Sequence, residues 1–161
     1  MKKMQIVTLS LLILLISLLL FPSAFAASDL SAETFSEVIR KAAPVEFGYL
    51  DHTEYYMQHF FSDLSYVDDS CIVVCADSTN FNEFGVFHIS NKEDVKRCEK
   101  SLKRYVSTAR EHFKNGVIYD IKEYPKFENA RVIVAGDYVI YMILDNEQGA
   151  AALSAIKQYL K

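Results

Sequence analysis

Arg131-Val132-Ile133-Val134-Ala135-Gly136-Asp137-Tyr138-Val139-Ile140-Tyr141-Met142-Ile143-Leu144 places two runs of β-branched and aromatic residues around a Gly-Asp turn, the composition and punctuation of an antiparallel hairpin. A second pair of the same kind lies upstream. Cys71 to Ala76 is short, rich in β-branched residues and apolar on both faces. The polar loop 77–80 then leads to a returning strand, Glu83-Phe84-Gly85-Val86-Phe87-His88-Ile89. A helix follows each hairpin. After the first, the helix begins at Ser90 or Asn91, with Ser90 and Glu93 at capping-box spacing and Asp94 complementing the positive end of the helix dipole. Val95, Cys98, Leu102, Tyr105, Val106, Ala109 and Phe113 form its apolar stripe, and Asn115-Gly116 stops it. After the second, Asp145 or Asn146 caps a helix that turns Leu153, Ile156 and Leu160 inward.

Working further toward the N-terminus, Phe35, Val38, Ile39 and Ala42 recur at helical spacing between Ser31 and Ala43, and Pro44 ends the pattern. A shorter helix is expected from Asp51 to about Phe61, and Val117 to Asn129 reads as a partly packed connection. The order α-α-β-β-α-β-β-α predicts an α+β fold with one antiparallel four-stranded sheet made of two hairpins. With both trailing helices on one face, this ββαββα core is a permuted ferredoxin-like arrangement, preceded by two N-terminal helices. It puts the Glu83 and Tyr138 strands in the centre and the Ser70 and Arg131 strands at the edges. Several strands are apolar on both faces, so the N-terminal helices are expected to cover the second face. Left open, that face would be a docking surface.

Lys2 and Lys3 precede an uncharged apolar run from Ile6 to Phe21, then Pro22 and the small-residue site Ala24-Phe25-Ala26. That is the order of a secretory signal, so residues 1–26 are read as a leader cleaved after Ala26 and residues 27–161 as one domain. If retained, the same stretch is long enough to anchor the protein in a membrane, and membrane contact is expected through it alone. Losing Lys2 and Lys3 with the leader takes the formal charge from −4 to −6. An acidic exported chain is a poor nucleic-acid binder. Three cysteines remain, and Cys71 and Cys75, four residues apart on one strand, are separated by roughly 13 Å of rise, too far to pair. Cys98 either reaches one of them or is buried with them as a small apolar side chain.

The chain contains no Gly-rich phosphate loop, no G-x-S-x-G elbow, no H-E-x-x-H and no C-x-x-C, so no cofactor or catalytic motif is read from it. His52 and His59, seven apart, share a face if their helix is continuous, with Glu54 or Asp63 as further metal-ligand candidates. His88 shares a strand face with Phe84 and Val86. The unusual charge feature is the segment 92–114, with eight basic residues against four acidic ones. Lys96, Lys100, Lys103, Arg110 and Lys114 recur there at three-, four- or seven-residue spacing, as a cationic ridge opposite the apolar stripe. Such a ridge suits either anionic envelope polymers or acidic neighbours in solvent. Tyr49, Tyr55, Tyr56, Tyr66, Tyr119, Tyr124, Phe81 and Phe127 fall in short helices or loops outside the core pattern, and loop tyrosines serve in recognition or plug domain ends.

Glu83-Phe84-Gly85-Val86-Phe87, the helix from Val95 to Phe113, Tyr124-Pro125, Asn129-Ala130 and Gly136-Asp137-Tyr138-Val139-Ile140 together resemble a bacterial domain family of unknown function, number 4358. The resemblance runs from about Ser31 to Leu144. It implies a short exported or lipid-anchored protein of clostridia and related Firmicutes. No cysteine stands at the end of the leader for acylation. The resemblance brings no activity or catalytic residue. The expectation is an extracytoplasmic, non-catalytic module that binds a protein, a peptide or an anionic envelope component. The alternative is an envelope hydrolase using His88 or a His52/His59 metal site.

Overall fold

The structure, a computed structural model, describes residues 30–116 and 120–160. The leader and Tyr119 lie outside the described residues. Helix α1, Ala32–Ala42, begins at Ser31, whose hydroxyl accepts from Thr34 N at 3.1 Å. Its first amide, Ala32 N, donates to Asp69 Oδ2 at 2.7 Å, which places a carboxylate at the positive helix end and ties the helix to the sheet. A three-residue strand β1, Tyr49–Asp51, follows, then helix α2, Thr53–His59, whose first amide donates to Asp51 Oδ1 at 2.8 Å. The hairpin of β2, Asp69–Cys75, and β3, Glu83–His88, leads into α3, Lys92–Lys114, capped by the Asn91 side chain. After a 3₁₀ turn, Ile121–Glu123, and the short helix α4, Tyr124–Glu128, the chain forms β4, Arg131–Ala135, and β5, Tyr138–Ile143. Gly136, at φ 65°, makes the tight turn between those strands, a conformation that costs glycine little. Asp145 caps the last helix, α5, Asn146–Tyr159, accepting from Gln148 N at 2.8 Å; such a cap contributes about 1 kcal/mol.

The fold is a mixed α+β one, and its sheet has five antiparallel strands, not four, in the order β1-β2-β3-β5-β4. The extra strand pairs Tyr49 with Cys75 and Asp51 with Val73, so the Ser70 strand is interior and Tyr49–Asp51 takes the edge. Three residues are too few to show an alternating pattern, which is why β1 was not visible as a strand. The helices also depart from the ferredoxin-like arrangement, because they lie on both faces. Cys71, Val73, Phe84, Val86, Tyr138, Ile140 and Met142 point to one side and pack with Phe35 and Ile39 of α1 and Ala152 and Ile156 of α5. Ile72, Phe87, Val139, Tyr141 and Ile143 point to the other and pack with Phe61, Leu64, and Cys98, Leu102 and Val106 of α3. A strand that is apolar on both faces must be covered twice, and each fully buried side chain of the size of Phe35 or Ile140 contributes about 1.5–3 kcal/mol. Neither sheet face is therefore left as a docking surface.

All three cysteines are buried and free. Burial pushes the Cys98 thiol up to about 12, and burial together with the neighbouring Glu33 does the same for Cys71, so both stay protonated and unreactive at neutral pH. Among the described residues no helix is long and apolar enough to cross a membrane.

Candidate functional site

Glu83 is the first residue of β3, and its side chain falls on the α3 side of the sheet. Three phenols from three different elements converge on its carboxylate. Tyr105 of α3 and Tyr141 of β5 each donate to Oε1 at 2.7 Å, and Tyr56 of α2 donates to Oε2 at 2.8 Å. The sheet register explains how Tyr141 gets there. It pairs with Gly85 across β3 and β5, and the missing Cβ of Gly85 leaves room for its ring. Tyr105 comes from the inward stripe of α3, with its ring 5.3 Å from that of Tyr141 and 4.9 Å from that of Phe61. Tyr56 closes the cluster at 6.2 Å from Tyr105.

Among the described residues no lysine or arginine forms an ion pair with Glu83. Burial raises its pKa, while the hydrogen bonds from Tyr141, Tyr105 and Tyr56 pull in the opposite direction. Burial, followed by the adjacent carboxylate, pushes Tyr56, Tyr105 and Tyr141 above the usual phenol value. The three phenols thus keep their protons and act as donors. The three O–H donors tie α2, α3 and β5 to one carboxyl group, and each bond is about twice as strong when that group is ionised.

Beside this cluster a cleft of about 260 Å³ opens between α2, the 77–82 loop and α4, lined by His52, Tyr55, Tyr56, Phe81, Glu83 and Phe127 among others. Its loop wall is fastened by polar contacts. Asp77 Oδ1 accepts from Thr79 N at 2.9 Å, and Asn80 Oδ1 accepts from Asn82 N at 3.0 Å and from Lys126 Nζ at 2.7 Å. Lys126 also donates to Glu123 Oε2, which accepts from Phe81 N at 2.8 Å. The Lys126 and Glu123 side chains are only 10% and 14% exposed, so this pair is screened little by water. Lys126→Ala leaves the Glu123 carboxylate with one amide donor and releases Asn80. It is expected to lower the unfolding free energy by about 2–3 kcal/mol in urea titrations and to speed amide exchange at Phe81.

The charged ridge and the other residues singled out from sequence fall mostly elsewhere. Lys96, Lys100, Lys103 and Lys114 are exposed along α3, and Lys103 Nζ pairs with Glu99 at 2.6 Å. Arg110 does not stand with them in solvent. Its guanidinium donates to the carbonyls of Phe127 at 2.9 Å and of Glu128 and Ala130 at 3.4 Å, binding the orphan carbonyls at the end of α4. Tyr124 is half-buried, its ring 5.4 Å from Phe113. His52 precedes α2 and His59 ends it, and their rings lie 6.4 and 4.5 Å from that of Tyr55. Among the described residues no three His, Cys, Asp or Glu side chains group to hold a metal. His88 lies against Tyr138 at 4.9 Å, on the face opposite Glu83. Of the candidates, His52 and the aromatics Tyr55, Tyr56, Phe81 and Phe127 line the cleft. Glu83, Tyr105 and Tyr141 belong to no motif, although a lone carboxylate opening an apolar strand and a tyrosine inside Val139-Ile140-Tyr141-Met142 both demand buried polar partners.

The family described as "Domain of unknown function (DUF4358)" matches residues 57–144, and the chain belongs to it. The match takes in Glu83, Tyr105 and Tyr141 and begins one residue after Tyr56. No curated protein and no solved structure matches the chain.

Proposed function

We propose that this member of the DUF4358 family is an exported, non-catalytic binding module of the cell envelope, with the cleft beside Glu83 as its ligand seat. The observation that carries the reading is a carboxylate in no ion pair with a lysine or arginine among the described residues, fixed by three phenols next to a cleft walled by aromatic rings. Phenols held protonated as donors preserve the shape of a pocket and do not shuttle protons, which favours binding over catalysis. Tyr55 at 53% exposure and Phe60 at 48% extend the aromatic surface from the cleft onto α2, the kind of surface that recognition sites use. The leader-like residues 1–26 support export, either as a free product or held by an uncleaved anchor. The exposed lysines of α3 supply a second, salt-sensitive contact to anionic envelope polymers.

Isotope-labelled protein titrated with fractionated envelope extract at low and high salt tests the reading. Shifts centred on Tyr55, Tyr56 and Phe81 that survive high salt, and that need more of the fraction to appear in Tyr55→Ala, are the expected result. Shifts confined to Lys96, Lys100 and Lys103 and lost in salt would move the seat to α3, and no shift from any fraction would reject the binding role.

A further inference from the structure

We infer that the cleft receives a primary alkylammonium group, which donates to Glu83 Oε2 while its methylenes lie against Tyr55, Tyr56 and Phe81. The inference rests on the reading of the cleft as the ligand seat, and three features of the site select the ligand class.

The first is charge. Two acidic residues, Glu83 and Asp77, line the cleft, and His52 is the lone basic residue there. The ammonium of Lys126 is committed to Asn80 of the cleft wall and to Glu123. An anionic ligand would meet two carboxylates, whereas a cationic one gives Glu83 a charge partner that, apart from the His52 imidazole, the cleft lining does not supply.

The second is hydrogen-bonding capacity. A carboxylate offers about four acceptor positions. Tyr105 and Tyr141 occupy two on Oε1 and Tyr56 occupies one on Oε2, so among the described contacts one position on Oε2 remains. One vacant acceptor matches an N–H of a primary ammonium. It does not match Ca²⁺, which takes six to eight oxygens, and a quaternary ammonium has no N–H to donate.

The third is the wall. Tyr55, Tyr56 and Phe81 present ring surface to a cleft of about 260 Å³, and a cation held over aromatic faces gains from their quadrupoles. That volume accepts an aminoalkyl chain while the rest of its carrier stays outside. A lysine side chain and a free amine share this chemistry.

The test is a chemical-shift titration of the full protein with n-butylammonium, N-acetyl-lysinamide, tetramethylammonium and butyrate. Butylammonium and the blocked lysine are expected to shift Tyr55, Tyr56 and Phe81. Tetramethylammonium is expected to bind about tenfold more weakly, and butyrate not to bind there. Tighter binding of the blocked lysine than of butylammonium marks a peptide as the source, and equal binding marks a free amine. Glu83→Gln should weaken butylammonium about tenfold, and Tyr55→Ala, at an exposed position, about threefold. Unchanged affinity in Glu83→Gln, or butyrate binding as well as butylammonium, overturns the inference. Should Glu83→Gln not fold, an unchanged affinity in Tyr55→Ala overturns it. If the ammonium probes leave the cleft unshifted while an envelope fraction shifts it, the ligand class is wrong and the seat stands. If both leave it unshifted, both readings fall.

Discussion

Gly85→Ala is expected to lower the unfolding free energy by about 1–3 kcal/mol, although alanine is the better residue in most strands. A Cβ built on Gly85 would lie 2.4 Å from Tyr141 Cε1, 3.0 Å from Phe87 Cε2 and 3.1 Å from Ile72 Cγ1. The Tyr141 ring has nowhere to retreat. It is fully buried, its hydroxyl is bonded to Glu83, and the Tyr105 and Phe61 rings lie 5.3 and 6.0 Å away. The gain from restricting the unfolded chain, about 0.4–1 kcal/mol for a Gly-to-Ala change, is smaller than that overpacking cost. Gly149 provides the control. It sits inside α5, and a Cβ there would meet only Arg131 Nη2 at 3.8 Å and Cζ at 3.9 Å, ordinary contacts. Gly149→Ala is therefore expected to stabilise the protein by about 0.5–1 kcal/mol through helix propensity. Urea midpoints that move in opposite directions for the two variants bear this out. Equal shifts of the same sign would show that the Tyr141 ring can move and that Gly85 is not reserved for it.

The same glycine marks how far the sequence could be read. The two hairpins, the long helix with its Asn91 cap and Asn115 stop, and the Asp145 cap are local: composition, period and capping residues lie within a few positions of the structure they specify. The helix faces were half legible. Runs such as Cys71-Ile72-Val73 and Tyr138-Val139-Ile140 announce a sheet buried twice, but not which helix takes which side. In fact α1 and α5 share one face, so an N-terminal and a C-terminal helix do together what two N-terminal helices were expected to do. The Glu83 site was the least legible part. Its partners stand 22, 27 and 58 residues away, on separate elements that meet only after the sheet register is set. No spacing rule spans such gaps. The histidines and lysines stand out in the sequence because their spacing is local, yet Arg110 serves the end of α4 and His88 packs on Tyr138.

Removing the carboxylate itself is expected to have the largest effect, about 2–4 kcal/mol for Glu83→Ala, because the buried Tyr141 and the half-buried Tyr56 and Tyr105 lose their acceptor together. Glu83→Gln separates that structural loss from the loss of charge. It preserves the volume and an accepting oxygen, so it should retain most of the stability at neutral pH while changing how stability depends on pH. Burial raises the pKa of Glu83 in the folded state above the ordinary 4.5, so the folded protein holds this proton at pH values where the unfolded chain has released it. The unfolded state then binds fewer protons, and stability falls as pH rises. This contribution is fully present below the ordinary glutamate value and is lost as pH climbs through the raised one. Asp68 and Asp77 act in the opposite sense. Hydrogen bonds from Ser90 and Thr79 hold them below 3.8, so their contribution is present above that value and is lost as pH falls through their lowered range. The wild-type stability curve should therefore rise through the aspartate range and decline above the ordinary glutamate value. In Glu83→Gln that decline should disappear and the plateau extend upward in pH. A further decline above pH 10, from Tyr56, Tyr105 and Tyr141, should persist in the variant, because burial is the larger cause of their raised values and the carboxylate the smaller. Urea midpoints measured across the pH range for both proteins decide the point. Parallel curves would mean that Glu83 titrates alike in the folded and unfolded chains, and that its three phenols do not enclose it.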